Sequence, residues 1–305
     1  MKRMFSLSYM LLVFVSFSFG ETNAPKTINN LRQDIEQFLV EKKALVGVSV
    51  LGIEDNESLS INNDKHFSMQ SVYKFHIALS ALHEVDTGNL SLEDSIMLKE
   101  SDLLPNTWSP LRETYLAGKK EITLAELINY TVALSDNNGS DILLRLIGGT
   151  EKVNEYIHGL GIIDVQITTD EENMHKESDL QFENWTTPEA ATELLTLFYD
   201  GKVLSKQSTD FLWKVMAGTE TGGGRIKGKL PSGTLVAHKT GTSAPPDESG
   251  VTVAINDIGI VTLPNNNHFV MSVFVANSKE SYETNEKIIA DITKLVWNYF
   301  THKAN

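Results

Sequence analysis

Apolar positions along this chain follow two periods, and the places where the period changes mark out the elements. Across residues 29–43, Leu31, Ile35, Phe38 and Leu39 recur at helical spacing, which predicts an amphipathic N-terminal helix. Residues 46–53 and 59–62 are short apolar or alternating runs around the turn residues Asp55-Asn56-Glu57, the pattern of a hairpin. From about Ser71 to Lys214 the spacing is mostly helical, over residues 72–85, 124–134, 141–147, 188–199 and 206–216. Strand signals return at 235–238, 251–263 and 268–276. The last segment, 283–300, is a long amphipathic helix with Ile288, Ile289, Ile292, Leu295, Val296 and Tyr299 on its apolar side.

That order predicts an α+β fold, an α/β sandwich with a helical lobe. Five strands form one antiparallel sheet, the N- and C-terminal helices flank it, and an all-helical lobe is inserted between the second and third strands. The sheet lobe takes about 21–66 and 217–305, the helical lobe about 67–216, and together they form a single catalytic domain over 21–305. A ligand site is expected where the lobes meet.

Residues 1–20 are read as a signal peptide. Lys2 and Arg3 give a basic start, residues 10–19 are almost wholly apolar, and Ser18-Phe19-Gly20 offers small residues for cleavage after Gly20. No other stretch approaches the roughly 18 apolar residues of a membrane span. A periplasmic or secreted protein with no membrane partner after cleavage is therefore expected. The formal net charge of −14 argues against nucleic-acid or anionic-membrane partners, and any anionic ligand must be held by local cations. With no cysteine, disulfides, thiol chemistry and lipid attachment through cysteine are all ruled out. The eight histidines (66, 76, 83, 158, 175, 238, 268 and 302) show no clustered ligand spacing, so neither metal nor cofactor is expected.

Three short strings carry the chemistry. Ser71-Val72-Tyr73-Lys74 places a hydroxyl and an amine on one face of a helix start, and no other serine has a lysine three positions on. A serine becomes a nucleophile only when a base takes its proton. A lysine serves if desolvation or a second cation such as Lys239 lowers its pKa. Ser135-Asp136-Asn137 offers a proton shuttle, a turn-bracing carboxylate and an amide for a substrate carbonyl. Lys239-Thr240-Gly241-Thr242 offers charge, a hydroxyl for a carboxylate and, at Gly241, close approach to the backbone; an edge strand here can also pair with an extended amide. Each string alone reads equally as a cap, a turn or a surface lysine. In a polar loop, Thr169-Asp170-Glu171-Glu172-Asn173-Met174-His175 offers a carboxylate to activate water, although an acidic run of this kind is ordinarily just solvated. Arg225, in a Gly222-Gly223-Gly224-Arg225 turn, is a candidate bidentate clamp for a carboxylate; alone it reads as a surface arginine.

These strings in this order are those of class A β-lactamases and penicillin-binding proteins. The chain resembles a class A serine β-lactamase across essentially its mature length. More narrowly it is similar to the extended-spectrum or cephalosporinase branch that includes the PER and VEB types. Gln70-Ser71-Val72-Tyr73-Lys74-Phe75, Leu103-Leu104-Pro105-Asn106-Thr107-Trp108-Ser109-Pro110, Glu171-Glu172-Asn173-Met174-His175 and His238-Lys239-Thr240-Gly241-Thr242-Ser243 carry that narrower match. The resemblance implies a β-lactamase/transpeptidase-like fold and a small-molecule β-lactam substrate, with the protein acting as a monomer. It implies Ser71 as the acylated nucleophile, with its N–H and that of Thr242 as the oxyanion hole. Lys74 would be the proton acceptor or relay, Ser135 the shuttle to the lactam nitrogen, and Glu171 the base for the deacylating water. Asn137 would bind the acylamino side chain, Lys239, Thr240 and Arg225 the substrate carboxylate, and Trp108 would wall the cleft mouth. Gly241 and Ser243 would line the same strand.

One departure from the commoner class A pattern stands out. Thr169, Glu172 and His175 occupy the places of an Arg, a Pro and an Asn. No arginine salt bridge can then fasten the loop, and His175 must help position water. Either Glu171 or Glu172 is a candidate base, and the spacing to His175 favours Glu171. The rival readings are a penicillin-binding D-Ala-D-Ala peptidase, which lacks the deacylating carboxylate, and a non-catalytic secreted β-lactam sensor, which has no need of every reactive residue.

Overall fold

One sheet divides the apolar interior into two clusters. A computed structural model describes residues 27–246 and 248–303, and the leader expected at 1–20 lies outside them. Five strands, β1 (Leu45–Gly52), β2 (Ser58–Ile61), β3 (Val236–Thr242), β4 (Thr252–Thr262) and β5 (His268–Ser278), pair antiparallel in the order β2-β1-β5-β4-β3. On β5, Phe269, Met271, Val273 and Val275 join one cluster, while Val270, Phe274 and Ala276 join the other. A strand buried on both faces shows nearly continuous apolar residues instead of alternation, as 269–276 do with Ser272 the one interruption.

Against the first face pack α1 (Ile28–Leu39), through Leu31 and Ile35, and α10 (Tyr282–Lys303), through Ile288, Ile292 and Val296. The remaining helices cover the other face and extend beyond it: α2 (Tyr73–Asp86), α3 (Pro110–Leu116), α4 (Leu124–Val132), α5 (Asn137–Ile147), α6 (Thr150–Gly159), α7 (Glu171–Lys176), α8 (Pro188–Tyr199) and α9 (Lys206–Ala217). Every residue of α2 from Tyr73 to Leu82 is buried, which makes it the axis of the larger cluster. Each fully buried large apolar side chain contributes about 1.5–3 kcal/mol. Among the described residues no helix is long and apolar enough to cross a membrane.

Caps set many of the helix starts. Thr27 and Thr123 form capping boxes with Asn30 and Glu126, Thr187 precedes Pro188, and Ser205 accepts from the Ser208 N–H. The expected helices differ from those observed mainly at their ends. The N-terminal helix stops at Leu39, and the segment expected over 141–147 begins at Asn137, where Asp136 caps it. Helices α3 and α6 were not expected; α3 is a short turn on Pro110, and α6 buries only Val153 and Ile157. The stretch expected as a polar loop around Glu171 is instead the short helix α7, capped by Asp170.

Two of these placements prepare the site. Strand β3 is an edge of the sheet, so one side of its backbone has no neighbouring strand. The three-residue 3-10 turn Gln70–Val72 runs directly into α2 beside that edge.

Candidate active site

Ser71 sits in the 3-10 turn, two residues before the helix whose start it was expected to mark. The residue before it, Gln70, is left-handed with φ 49°, a conformation that costs a non-glycine residue on the order of 1–3 kcal/mol. Its side chain secures the geometry by donating to Ser68 Oγ and Gln181 Oε1, both at 3.0 Å. From the sheet, Asn256 Nδ2 donates to the carbonyls of Ser68 (2.9 Å) and Met69 (3.1 Å). The turn presenting Ser71 is thus fastened from both sides.

Three elements bring the three strings together around one cavity of about 740 Å³. Lys74, fully buried on the first turn of α2, donates to the Ser135 carbonyl at 2.9 Å and to Asn137 Oδ1, and lies 3.1 Å from Glu171 Oε1. Those are three acceptors, the number an ammonium can serve. Ser135, left-handed at φ 58°, turns its Oγ toward Lys239 Nζ at 2.9 Å. Asp136 braces this turn: it accepts from Ser109 Oγ, from the Leu111 N–H and from the Gly139 N–H, the last two at 2.7 Å. Asn137 opens α5 with its Nδ2 donating to Thr107 Oγ1 at 2.7 Å.

Lys239 is fully buried on β3 and donates to Ser135 Oγ and the Thr240 carbonyl. Burial, and then the nearby Lys74 charge, hold its pKa well below the usual lysine range. Thr240 and Thr242 line the cavity, and Ser243 continues along it. Gly241 lies against the Ser71 turn: a Cβ there would stand 2.3 Å from the Met69 carbonyl oxygen. Only glycine lets the edge strand come so close to the Ser71 turn. Trp108 stands at the cavity rim, its indole N–H donating to the Leu134 carbonyl at 2.8 Å.

The two acids of the altered loop separate cleanly. Glu171 lines the cavity beside Lys74, whereas Glu172 pairs with Lys176 at 2.7 Å. His175 is exposed and lines the cavity one turn further along α7. In place of an arginine salt bridge, the loop is fastened through its backbone. The two oxygens of Asp141, on α5, accept the N–H groups of Glu171 and Glu172, both at 2.9 Å. Asn184 accepts from Thr168 N and Thr169 N and donates back to the Thr169 carbonyl. Burial, and then the Glu171 charge, lift the Asp141 carboxyl to about 7.

Arg225 requires a correction. It is neither a surface arginine nor a free clamp: it is 1% exposed and all five of its N–H donors are engaged. Nε donates to Glu286, Nη1 to the carbonyls of Gly241 and Asn256, and Nη2 to Thr242 Oγ1 (2.7 Å) and Tyr282 Oη. Toward the cavity, its guanidinium therefore acts on the Thr242 hydroxyl that it orients. Arg225→Ala is expected to lower kcat/KM by the equivalent of about 1–3 kcal/mol and to lower Tm as well. Arg225→Lys should rescue little, because a single ammonium cannot satisfy a planar set of five acceptors. Steady-state kinetics with parallel melts check this; full recovery by lysine would restore the direct clamp.

Sequence reasoning missed Asp141, Asn256, Gln70 and Thr221, whose Oγ1 lies 2.6 Å from Thr240 Oγ1 at the cavity wall. One signal was present: Asn256 and Asp257 are polar residues in the middle of a largely apolar strand, and Asn256 lies directly opposite Gly241 in the register.

A serine beside a buried lysine, a second serine–lysine pair facing it and an edge strand alongside define an acyl-transfer site of the penicillin-recognising kind. Comparison with known proteins agrees over nearly the whole chain. Residues 30–300 match the model of the beta-lactamase enzyme family, and the chain belongs to that family. It is 48% identical over 296 residues to beta-lactamase VEB-1 of Pseudomonas aeruginosa, covering 96% of this chain and 98% of that one. It is 41% identical over 288 residues to extended-spectrum beta-lactamase PER-1 of the same organism, covering 94% and 92%. The crystal structure of the TLA-3 extended-spectrum beta-lactamase superposes with a TM-score of 0.88 at 51% identity, over 90% of this chain and 99% of that one. The class A fold inferred from the motifs is the fold observed.

Proposed function

We propose that this chain hydrolyses the β-lactam amide of cephalosporins and penicillins through a Ser71 acyl-enzyme, and so serves antibiotic resistance. Lys74 or Glu171 takes the Ser71 proton as the hydroxyl attacks the lactam carbonyl. The developing oxyanion is met by the N–H groups of Ser71 and Thr242, in the gap between the 3-10 turn and the edge of β3. Ser135 passes a proton to the departing nitrogen and is resupplied by Lys239. Lys239, with the hydroxyls of Thr240 and Thr242, holds the substrate carboxylate. Asn137 holds the acylamino group, with Trp108 at the mouth and Gly241 and Ser243 along the strand. Glu171 then activates the water that releases product, with His175 beside its path.

The observation that carries this reading is the Glu171 carboxylate, 3.1 Å from Lys74 Nζ and facing the cavity. A D-Ala-D-Ala peptidase would share the other residues but has no use for that one. The protein is expected to turn over a chromogenic cephalosporin many times, with chelator present. A single stoichiometric burst would overturn hydrolysis in favour of the peptidase. The mature chain is expected to act alone, as a monomer of one catalytic domain. Its N-terminus in a periplasmic fraction should be Glu21.

A further inference from the structure

The hydroxyls of Thr240 and Thr242, offered above to the substrate carboxylate, are each backed by a second polar group. Behind Thr242 stands Arg225, whose Nη2 donates to Thr242 Oγ1 at 2.7 Å. A guanidinium has no acceptor, so the Thr242 hydroxyl receives that bond and keeps its own proton to donate elsewhere. Behind Thr240 stands Thr221, its Oγ1 2.6 Å from Thr240 Oγ1. Both threonines line the cavity, Thr240 buried and Thr221 partly so.

The segment carrying Thr221, between α9 and the 3-10 turn Ile226–Lys229, is tied to both lobes. Thr219 Oγ1 donates to the His238 carbonyl of β3 at 2.7 Å. The Glu220 N–H donates to the Ala133 carbonyl, just past α4, at 3.1 Å. Gly222 follows in a left-handed conformation, φ 66°, and a Cβ on it would stand 2.5 Å from Thr240 Cγ2. Glycine is what lets the segment lie flush against Thr240. The Arg225 N–H then closes the turn on the Gly222 carbonyl at 2.9 Å. The arginine that backs Thr242 thus also fixes the turn that presents Thr221.

Two hydroxyls in contact share one hydrogen bond, in one of two senses. If Thr240 donates to Thr221, its proton is spent, and it turns only lone pairs toward an anion. If Thr221 donates to Thr240, the Thr240 proton is left for the anion, and the bond accepted strengthens the bond given. An anion in the cavity selects the second sense, the one that Arg225 imposes on Thr242.

We propose that Thr221 is a positioning residue for the carboxylate of an anionic β-lactam: its hydroxyl donates to Thr240 and so directs the Thr240 proton onto the substrate. This rests on the role proposed above for Thr240, through which Thr221 acts. The carboxylate keeps its charge while the lactam opens, so the interaction is equal in ground state and transition state. Its loss therefore falls on KM and spares kcat.

The test is steady-state turnover of a carboxylate-bearing chromogenic cephalosporin and of its methyl ester, with a melt of each variant in parallel. Thr221→Val, close in shape but without the hydroxyl, should raise KM for the acid about two- to tenfold, the range of one hydrogen bond. The ester should respond less, because its neutral carbonyl draws less on the Thr240 proton. Thr221→Ser, which keeps the hydroxyl, should recover most of the loss, and Thr221→Ala gives a second removal should the valine variant fold poorly. An unmoved or lowered KM in a folded variant would mean that Thr240 spends its proton on Thr221, and overturns the inference. Equal losses on acid and ester, or no rescue by serine, overturn it too, and each of these leaves hydrolysis standing. No turnover by wild type would instead overturn the hydrolase reading, and this inference with it.

Discussion

Glu171→Gln is expected to give a chain that opens a β-lactam once and then stalls. The substitution is close to isosteric, and the glutamine Oε1 can still accept from Lys74 Nζ where Glu171 Oε1 now lies at 3.1 Å. The helix start does not depend on that side chain either, because Asp141 holds the backbone N–H groups of residues 171 and 172. What is lost is the charge beside Lys74 and, with it, the basicity that activates water. A positioned general base contributes about 10²–10⁴-fold, so kcat should fall by that factor while a covalent adduct builds up on Ser71, visible by mass. Turnover at the wild-type rate would remove Glu171 from deacylation. Glu172 is no substitute, since it is paired with Lys176 on the far side of the same short helix.

Gly241→Ala should fail at the opposite step. Its Cβ would stand 2.3 Å from the Met69 carbonyl oxygen, 3.1 Å from Gln70 Cβ and 3.2 Å from Val72 Cγ2. The nearest of these is backbone, in a turn that Asn256 and Gln70 hold fast, so the edge strand must move away instead. Such a shift separates the N–H groups of Ser71 and Thr242, which are proposed to meet the oxyanion together. Losing one donor of this kind costs on the order of 10²–10³-fold. The loss should fall on kcat/KM with no adduct accumulating, the reverse of the Glu171→Gln signature. Stopped-flow acylation rates separate the two, and an unchanged acylation rate would show slack in the strand.

The contrast between those variants follows what the chain discloses in its linear order. Ser71, Lys74, Ser135 and Lys239 were legible because each falls in a short string whose spacing has a mechanical meaning. The strands were legible because burial on both faces leaves nearly continuous apolar runs such as 269–276, broken only at Ser272. Arg225 was not, because its acceptors come from β3, β4 and α10, scattered between Gly241 and Glu286. Asp141 looked like one more polar position at a helix start; its role depends on a helix thirty residues away. Helix α7 itself has six residues and little apolar surface, too short for any period to register. Where function rests on contacts between distant segments, the order of residues alone carries no trace of them.

The backbone fastening of α7 bears on how such a protein changes under drug pressure. Where a loop is fastened by its own side chains, most substitutions in it loosen the fastening and lose activity with it. Here the anchors, Asp141 and Asn184, belong to other segments and grip main-chain groups that every residue except proline supplies. Asn173 and Met174 can therefore vary while the Glu171 carboxylate keeps its place. Selection by new antibiotics has a set of positions at the cavity wall on which it can act without first disabling the enzyme.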